Sequence, residues 1–285
     1  MHPSKHYRYH SLCIATLRNS VGSKMNVLVC FKSVYDDVAI RTNPDKTLDY
    51  QAVPHVVSLY DLNAIEAAAR FVEADPENRN LIALTVGDTK IHDTTMRKNV
   101  AARGASEVYL VMDDALEDAE TYQTARTVAA AIEKIGNIDL IICGDGSADV
   151  YAHQMGIQLG EILGVPNVNA VIDFEAVGNT IKVTRELDDE IEHIEVKTPA
   201  VLSVLSDMAQ PRICQVKDIM TAGRKPVHEL SLADLGLDLP QPNYDIIETK
   251  VPEPTPRKMV FFEATDEDID RFIEQVHTYL TTEGA

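Results

Sequence analysis

No apolar run in the sequence approaches the roughly 20 residues that a membrane-spanning helix needs, so no stretch of it reads as one. Positive charge is scarce. Lys and Arg number 26 against 45 Asp and Glu, a formal net charge of −19. A duplex or RNA ligand needs a basic surface to meet its phosphates, so nucleic acid is excluded as a partner. Cysteine is scarce too: Cys13, Cys30, Cys143 and Cys214 lie far apart, with no CxxC pair and no Cys/His cluster. That argues against a zinc site or a disulfide scaffold and points to a reducing, cytoplasmic setting. GxSxG, HExxH, Walker A and GxGxxG are all missing, so the common catalytic motifs give no enzyme reading.

What is present is a chain of 285 residues, 45% hydrophobic and 25% charged, an ordinary globular composition with room for one large domain and appendages. Residues 1–24 stand apart. They carry Lys5, Arg8, Arg18 and Lys24 but no acid. We read them as an N-terminal extension outside the fold, with Met25 as the functional start. Asn26 to Phe31 is then a first buried strand, and Lys32 to Asp37 a polar loop after it. Ser58-Leu59-Tyr60-Asp61 opens a helix whose inward side is Ala64, Ile65, Ala68 and Phe71. Leu81 to Val86 is a second strand, and a helix through Met96 and Val100 follows, capped by Gly104. Val108 to Met112 is a third strand, and Thr121 to Ile135 a further helix.

The fourth strand begins the most informative stretch, LIICGDGSADVYAHQMGIQLGEILGVP, Leu140 to Pro166. Leu140 to Cys143 has the continuous apolar pattern of a strand buried on both faces. Gly144 and Gly146 break it. Ser147 and Asp149 are residue types that cap helices, and Val150, Met155, Leu159, Ile162 and Leu163 supply an apolar helix stripe. A strand, a glycine turn and a capped helix start aim free amides and a helix dipole at one point, where a phosphate can sit. Strands alternating with helices predict a doubly wound α/β fold, a parallel sheet with helices on both faces. In the order 3-2-1-4 the first and fourth strands are neighbours at the topological switch, where ligands bind in such sheets. That crevice brings Lys32 to Asp36 against Gly144 to Asp149.

Beyond it the pattern changes. Asn169 to Phe174, Thr180 to Leu187 and Glu190 to Lys197 alternate as an antiparallel hairpin insertion, with turns at Gly178-Asn179 and Asp188-Asp189. Pro199 to Leu205 returns as a fifth buried strand. Arg212, Lys217, Arg224 and Lys225 make a locally basic segment. Leu239 to Pro256 is proline-rich without period and reads as an arm wrapping a partner. Thr265 to Leu280 closes the chain as an amphipathic helix, with Asp266, Glu267 and Asp268 in its first turn. The expected divisions are thus 1–24, a nucleotide-binding α/β domain over 25–230, and a C-terminal arm and helix over 231–285.

Asp145 and Asp149 suggest helix capping, or contacts to N–H groups and ribose hydroxyls, before acid–base catalysis. His153 suits stacking on a base or facing solvent, and Gln154 an amide partner. On residues alone a free-standing nucleotide-dependent enzyme or a nucleotide sensor stays open beside a binding subunit.

VLVCFKSVYD, SLYDLNAIEAA, LTVGD, CGDGSADVYAHQMGIQLGEILGVP, VTRELDDE and TPAVLSVLSD, in that order and spacing, resemble the β subunit of electron-transferring flavoproteins, most closely the Fix-type bacterial branch. The resemblance covers Met25 to the C-terminus. It implies an adenine-nucleotide-hydrolase-like core and a heterodimer with an α subunit that carries most of the FAD site. It implies AMP or a second FAD in this subunit. It places that nucleotide against Phe31, Lys32, Ser33, Val34, Ser58, Asp61, Val86, Gly144, Asp145, Gly146, Ser147, Ala148, Asp149, His153, Gln154 and Met155. Arg212 to Met220 corresponds to the family's docking loop for acyl-CoA dehydrogenases, with Val216 at its anchor position. Glu186 matches a glutamate that contacts the α subunit's mobile flavin domain. The implied role is an electron carrier without covalent chemistry of its own, moving electrons between dehydrogenases and an acceptor, with a membrane involved only through a quinone reductase partner. The turn GDGSADVYAHQ lacks the family's GxQAxD start, and Ser58-Leu59 replaces an Asn-Pro pair.

Overall fold

A computed structural model describes residues 24–282 except 179, 254, 257 and 258. The N-terminal extension up to residue 23, Cys13 with it, lies outside the described residues. The strands are β1 (Met25–Cys30), β2 (Ser33–Tyr35), β3 (Arg41–Thr42), β4 (Leu48–Asp49), β5 (His55–Val57), β6 (Arg79–Gly87), β7 (Glu107–Met112), β8 (Leu140–Gly144), β9 (Asn167–Val177), β10 (Thr180–Glu186), β11 (Ile191–Lys197), β12 (Ala200–Val204) and β13 (Val227–Leu230). The helices are α1 (Leu59–Glu73), α2 (Thr94–Ala102), α3 (Thr121–Ile135), α4 (Met155–Leu163), α5 (Val216–Ala222), α6 (Leu232–Leu235) and α7 (Asp266–Thr282).

Nine strands form one sheet in the order β11-β10-β9-β12-β8-β1-β6-β7-β13. β1 pairs in parallel with β6 on one side and with β8 on the other. The expected adjacency of first and fourth strands is therefore present. Successive residues of β1 point to opposite faces, and each face meets its own core. Val27 and Val29 pack with Ala64, Ile65 and Ala68 of α1 and with α2. Leu28 and Cys30 pack with Val128 and Ile132 of α3, Leu159 of α4 and Leu232 of α6. Two-sided burial explains why these strands read as unbroken apolar runs.

The hairpin strands do not form a separate layer. β9 runs parallel to β12 and antiparallel to β10, so β9, β10 and β11 continue the main sheet. β13 is a strand the sequence reading passes over. Its four residues add in parallel to β7, with His228 Nε2 2.9 Å from Glu107 Oε2. Such a short edge strand with one wet face carries no apolar run to betray it. The loop expected at Lys32 to Asp37 is likewise part strand, β2, paired antiparallel with β5.

The described residues form two units: residues 24–41 with Asp49–Ile247, and Thr42–Leu48 with the described residues from Glu248 onward. In the first, the start of the proline-rich stretch is pinned to α3. Gln123 Nε2 donates to the Pro240 carbonyl at 2.7 Å, and the buried Glu120 carboxylate accepts from the Asn243 amide at 3.1 Å. In the second, the expected closing helix is α7. Thr265 Oγ1 accepts from the Asp268 amide at 3.3 Å and starts it, and Ile269, Phe272 and Ile273 are exposed on it.

Candidate functional site

The C-terminal ends of β1 and β8 lie side by side, and the chain leaves each end in a turn. At the end of β1, Phe31 is buried and its amide donates to the Leu84 carbonyl at 3.0 Å. Lys32 donates its amide to Asp61 Oδ2 at 2.7 Å and sends its Nζ across to Asp149 Oδ2 at 2.6 Å. Ser33 Oγ contacts His55 Nδ1 at 3.0 Å, Val34 is buried, and Val86 is half-buried near the end of β6.

Helix α1 enters at the same place. Ser58 is wholly buried, and its Oγ accepts from the Ala148 amide at 3.3 Å. Asp61 is buried beneath both turns. Burial pushes its carboxyl up to about 7, against the amides of Lys32 and Gly144, the Lys32 charge and the Ser58 hydroxyl, which all pull it down. A Cβ on Gly144 would stand 2.7 Å from Asp61 Oδ1, so α1 can approach only a glycine there.

Past β8 the turn folds differently from the expected capped helix. The helix starts only at Met155, with Gln154 at its N-cap and no side-chain cap. Asp149 is not a cap. It accepts from the Ser147 hydroxyl at 2.5 Å and the Val150 amide at 2.8 Å while holding Lys32. Burial pushes the Asp149 carboxyl up, but Lys32 and Ser147 outweigh it and hold it below its ordinary value. Val150 is 71% exposed and outside the helix, so it does not belong to the apolar stripe. The physical reason is local: Asp149 satisfies its own turn, and Tyr151 and His153 both take left-handed backbone, φ 51° and 54°, which delays the helix.

Asp145 Oδ2 pairs with His153 Nδ1 at 2.7 Å. His153 thus contacts its own loop, and its ring lies edge-on to Tyr151, centroids 3.9 Å apart. Tyr151 in turn packs on Tyr60 of α1 at 4.7 Å. Sequence reasoning gave neither tyrosine a role of its own. Tyr60 sits between two residues it singled out, and that position was the available signal. Gln154 Oε1 accepts from Gln158 Nε2 at 3.1 Å, and Met155 packs on the α3–α4 core.

Sixteen expected residues therefore lie around two turns, the end of β6, and the starts of α1 and α4. The two partner-binding residues lie elsewhere. Glu186 ends β10, three strands from β8 in the sheet order, and Val216 opens α5, which packs beside α2. The carboxylates that would oppose a phosphate, Asp145 and Asp149, are each engaged by a basic side chain. The buried thiols Cys30 and Cys143 sit just below the crevice. A hydrogen bond between them, and burial, push Cys30 up and leave it a packing residue. No group of His, Cys, Asp and Glu able to hold a metal ion occurs among the described residues. No helix among them is long and apolar enough to cross a membrane.

The fold is an open α/β sheet in which the turns after β1 and β8 meet at the topological switch point. Residues 45–235 match the model of one family, the electron transfer flavoprotein domain. The match spans more than half of the chain, and the chain belongs to that family. The family ties it to electron transport and to flavin.

Proposed function

We propose that this chain is the β-type subunit of an electron transfer flavoprotein, of the Fix-type branch. It pairs with an FAD-carrying α subunit and holds one adenine nucleotide, AMP or a second FAD, between the β1 and β8 turns. The observation that carries this reading is the joining of those turns: Lys32 reaches Asp149 at 2.6 Å, and Asp61 takes the Lys32 amide from below. Two adjoining turns at the switch point, with glycine backbone at Gly144 and Gly146 and with Asp145 and Asp149 already contacted by His153 and Lys32, suit a nucleotide. Asp145 and Asp149 then face N–H groups or ribose hydroxyls rather than phosphate.

The chain makes and breaks no covalent bond in this role. Electron transfer depends on the placement of flavins, and the protein supplies binding geometry. Residues 25–230 form the nucleotide domain, and the stretch from residue 231 to the end is the clasp on the α subunit. Arg212 to Met220, with Val216 as anchor, docks a dehydrogenase, and Glu186 meets the α subunit's flavin domain. The complex works in the cytoplasm and serves either crotonobetaine and carnitine reduction or electron supply to nitrogen fixation. Any membrane contact runs through a quinone reductase that accepts its electrons.

The deciding experiment denatures the purified complex and identifies the released nucleotides by chromatography. One FAD with one AMP per heterodimer is the signature of a plain carrier, and two FAD that of a bifurcating one. A chain that is stable and ATP-hydrolysing without any flavin-bearing partner refutes the proposal.

A further inference from the structure

Helix α1 starts at the crevice, and two turns along it carries a second set of polar residues that the nucleotide does not require. Glu66 is 2% exposed. Its Oε2 accepts from the Arg212 amide at 3.2 Å and from Arg212 Nε at 2.7 Å. Its Oε1 accepts from Arg212 Nη2 at 3.2 Å and from Arg70 Nε at 2.7 Å. Glu73 takes the other edge of the same guanidinium, at 2.5 and 2.9 Å. Burial pushes the Glu66 carboxyl up, but the bonds from Arg212 and Arg70 reverse this and hold it below its ordinary value. One turn earlier Asn63 Nδ2 donates to the carbonyls of Ser206 and Ala209, at 2.6 and 2.8 Å.

One face of α1 therefore grips the chain from Ser206 to Arg212. Directly after the grip the chain turns outward. Ile213 is 95% exposed, Val216 75% and Met220 70%. A reciprocal cap between Gln215 and Asp218 starts α5 there. A buried ion pair adds little net stability compared with apolar packing, because both charges lose their water. What it does supply is a fixed geometry. Left to itself, an apolar segment would fold back onto the body. Here it stands in water, already shaped, which lowers the ordering cost of binding.

We infer that Glu66 is a positioning residue. Acting through Arg212, it sets the conformation in which Ile213, Val216 and Met220 meet the electron-donating dehydrogenase. The inference rests on the docking role proposed above for Arg212 to Met220.

The test uses the heterodimer in a Cys13→Ser background. Cys214 is then the accessible thiol of this subunit, since Cys30 and Cys143 are buried. Its reaction rate with Ellman's reagent reports the order of the segment. Electron uptake from an acyl-CoA dehydrogenase, reduced by its own acyl-CoA, gives KM and kcat. Glu66→Gln keeps the shape and removes the charge. We expect the Cys214 rate and the KM for the donor each to rise about tenfold, the scale of a lost charged hydrogen bond, with kcat unchanged. Arg212→Lys, which cannot form the two-sided grip, should raise the Cys214 rate likewise and serves if Glu66→Gln fails to fold. Wild-type Cys214 reactivity and KM in both variants overturn the inference. Val216→Asp tests the docking role separately. If it leaves KM unchanged, or if the wild type takes no electrons from this donor, the docking role falls and the inference with it. If Val216→Asp raises KM while Glu66→Gln does not, the role of Glu66 alone is overturned.

Discussion

Lys32 Nζ lies 2.6 Å from Asp149 Oδ2, joining the turn after the first strand to the turn after the fourth across 117 residues of chain. Its side chains are 45% and 39% exposed, so solvent screens the pair, and its contribution to stability is under about 1 kcal/mol. In the proposed nucleotide site it fixes the spacing of the two turns. We expect Lys32→Ala to leave the melting temperature of the complex nearly unchanged but to reduce the nucleotide recovered per heterodimer on denaturation. Full recovery would separate Lys32 from the site.

Gly146 faces the ring of Tyr151. A Cβ there would sit 2.2 Å from the ring carbon Cδ2. Gly146→Val must displace Tyr151 and with it the contact to Tyr60. The expected outcome is a folded complex without bound nucleotide. Stoichiometric nucleotide in that variant would count against placing the site at this turn.

Asp61 gives the fold a pH dependence of unusual sign. Its folded carboxyl titrates at about 7 and its unfolded one near 3.8, so the folded state holds an extra proton between these values. Stability then falls as pH rises from about 4 to about 7, by up to about 4 kcal/mol. Urea unfolding of the complex at fixed concentration, at several pH values across this window, should show the decline. Asp61→Asn should flatten it, and an unaltered slope in the variant would assign the dependence to other groups.

Glycine inside a helix ordinarily costs about 1 kcal/mol against alanine. Gly160 of α4 is an exception that can be measured. Its Cβ would lie 2.7 Å from Asn167 Cβ, an atom that cannot swing away from the start of β9. The overlap costs about 1 to 3 kcal/mol, more than the propensity gains. Gly160→Ala should lower the denaturation midpoint, and a raised midpoint would show that α4 can slide.

The arm can be removed without cutting into the sheet. Leu239 packs on the core, and Pro240 and Asn243 are held by Gln123 and Glu120, so the cut belongs after Ile247. We expect a chain ending at Ile247 to keep its secondary structure by circular dichroism and to elute apart from the α subunit in size exclusion. Co-elution at the heterodimer volume would show that the clasp lies elsewhere.

The alternation of strands and helices is legible in the chain, because two-sided burial leaves unbroken apolar runs in β1, β6, β8 and β12, and helix periodicity survives in α1 and α3. The order of the central strands came from the general topology of doubly wound sheets and not from any one residue, and the sheet has that order. The sequence did not supply β13 or β2. Their three or four residues owe their shape to the strand next to them, not to their own pattern. Nor could it show that Asp149 would face Lys32 instead of capping α4. A short polar side chain has several partners within local reach, and the backbone of Tyr151 and His153 decides among them. The grip of Glu66 on Arg212 spans 146 residues. Spacing cannot encode a contact at that distance, and only the packing of α1 against the sheet brings those charges together.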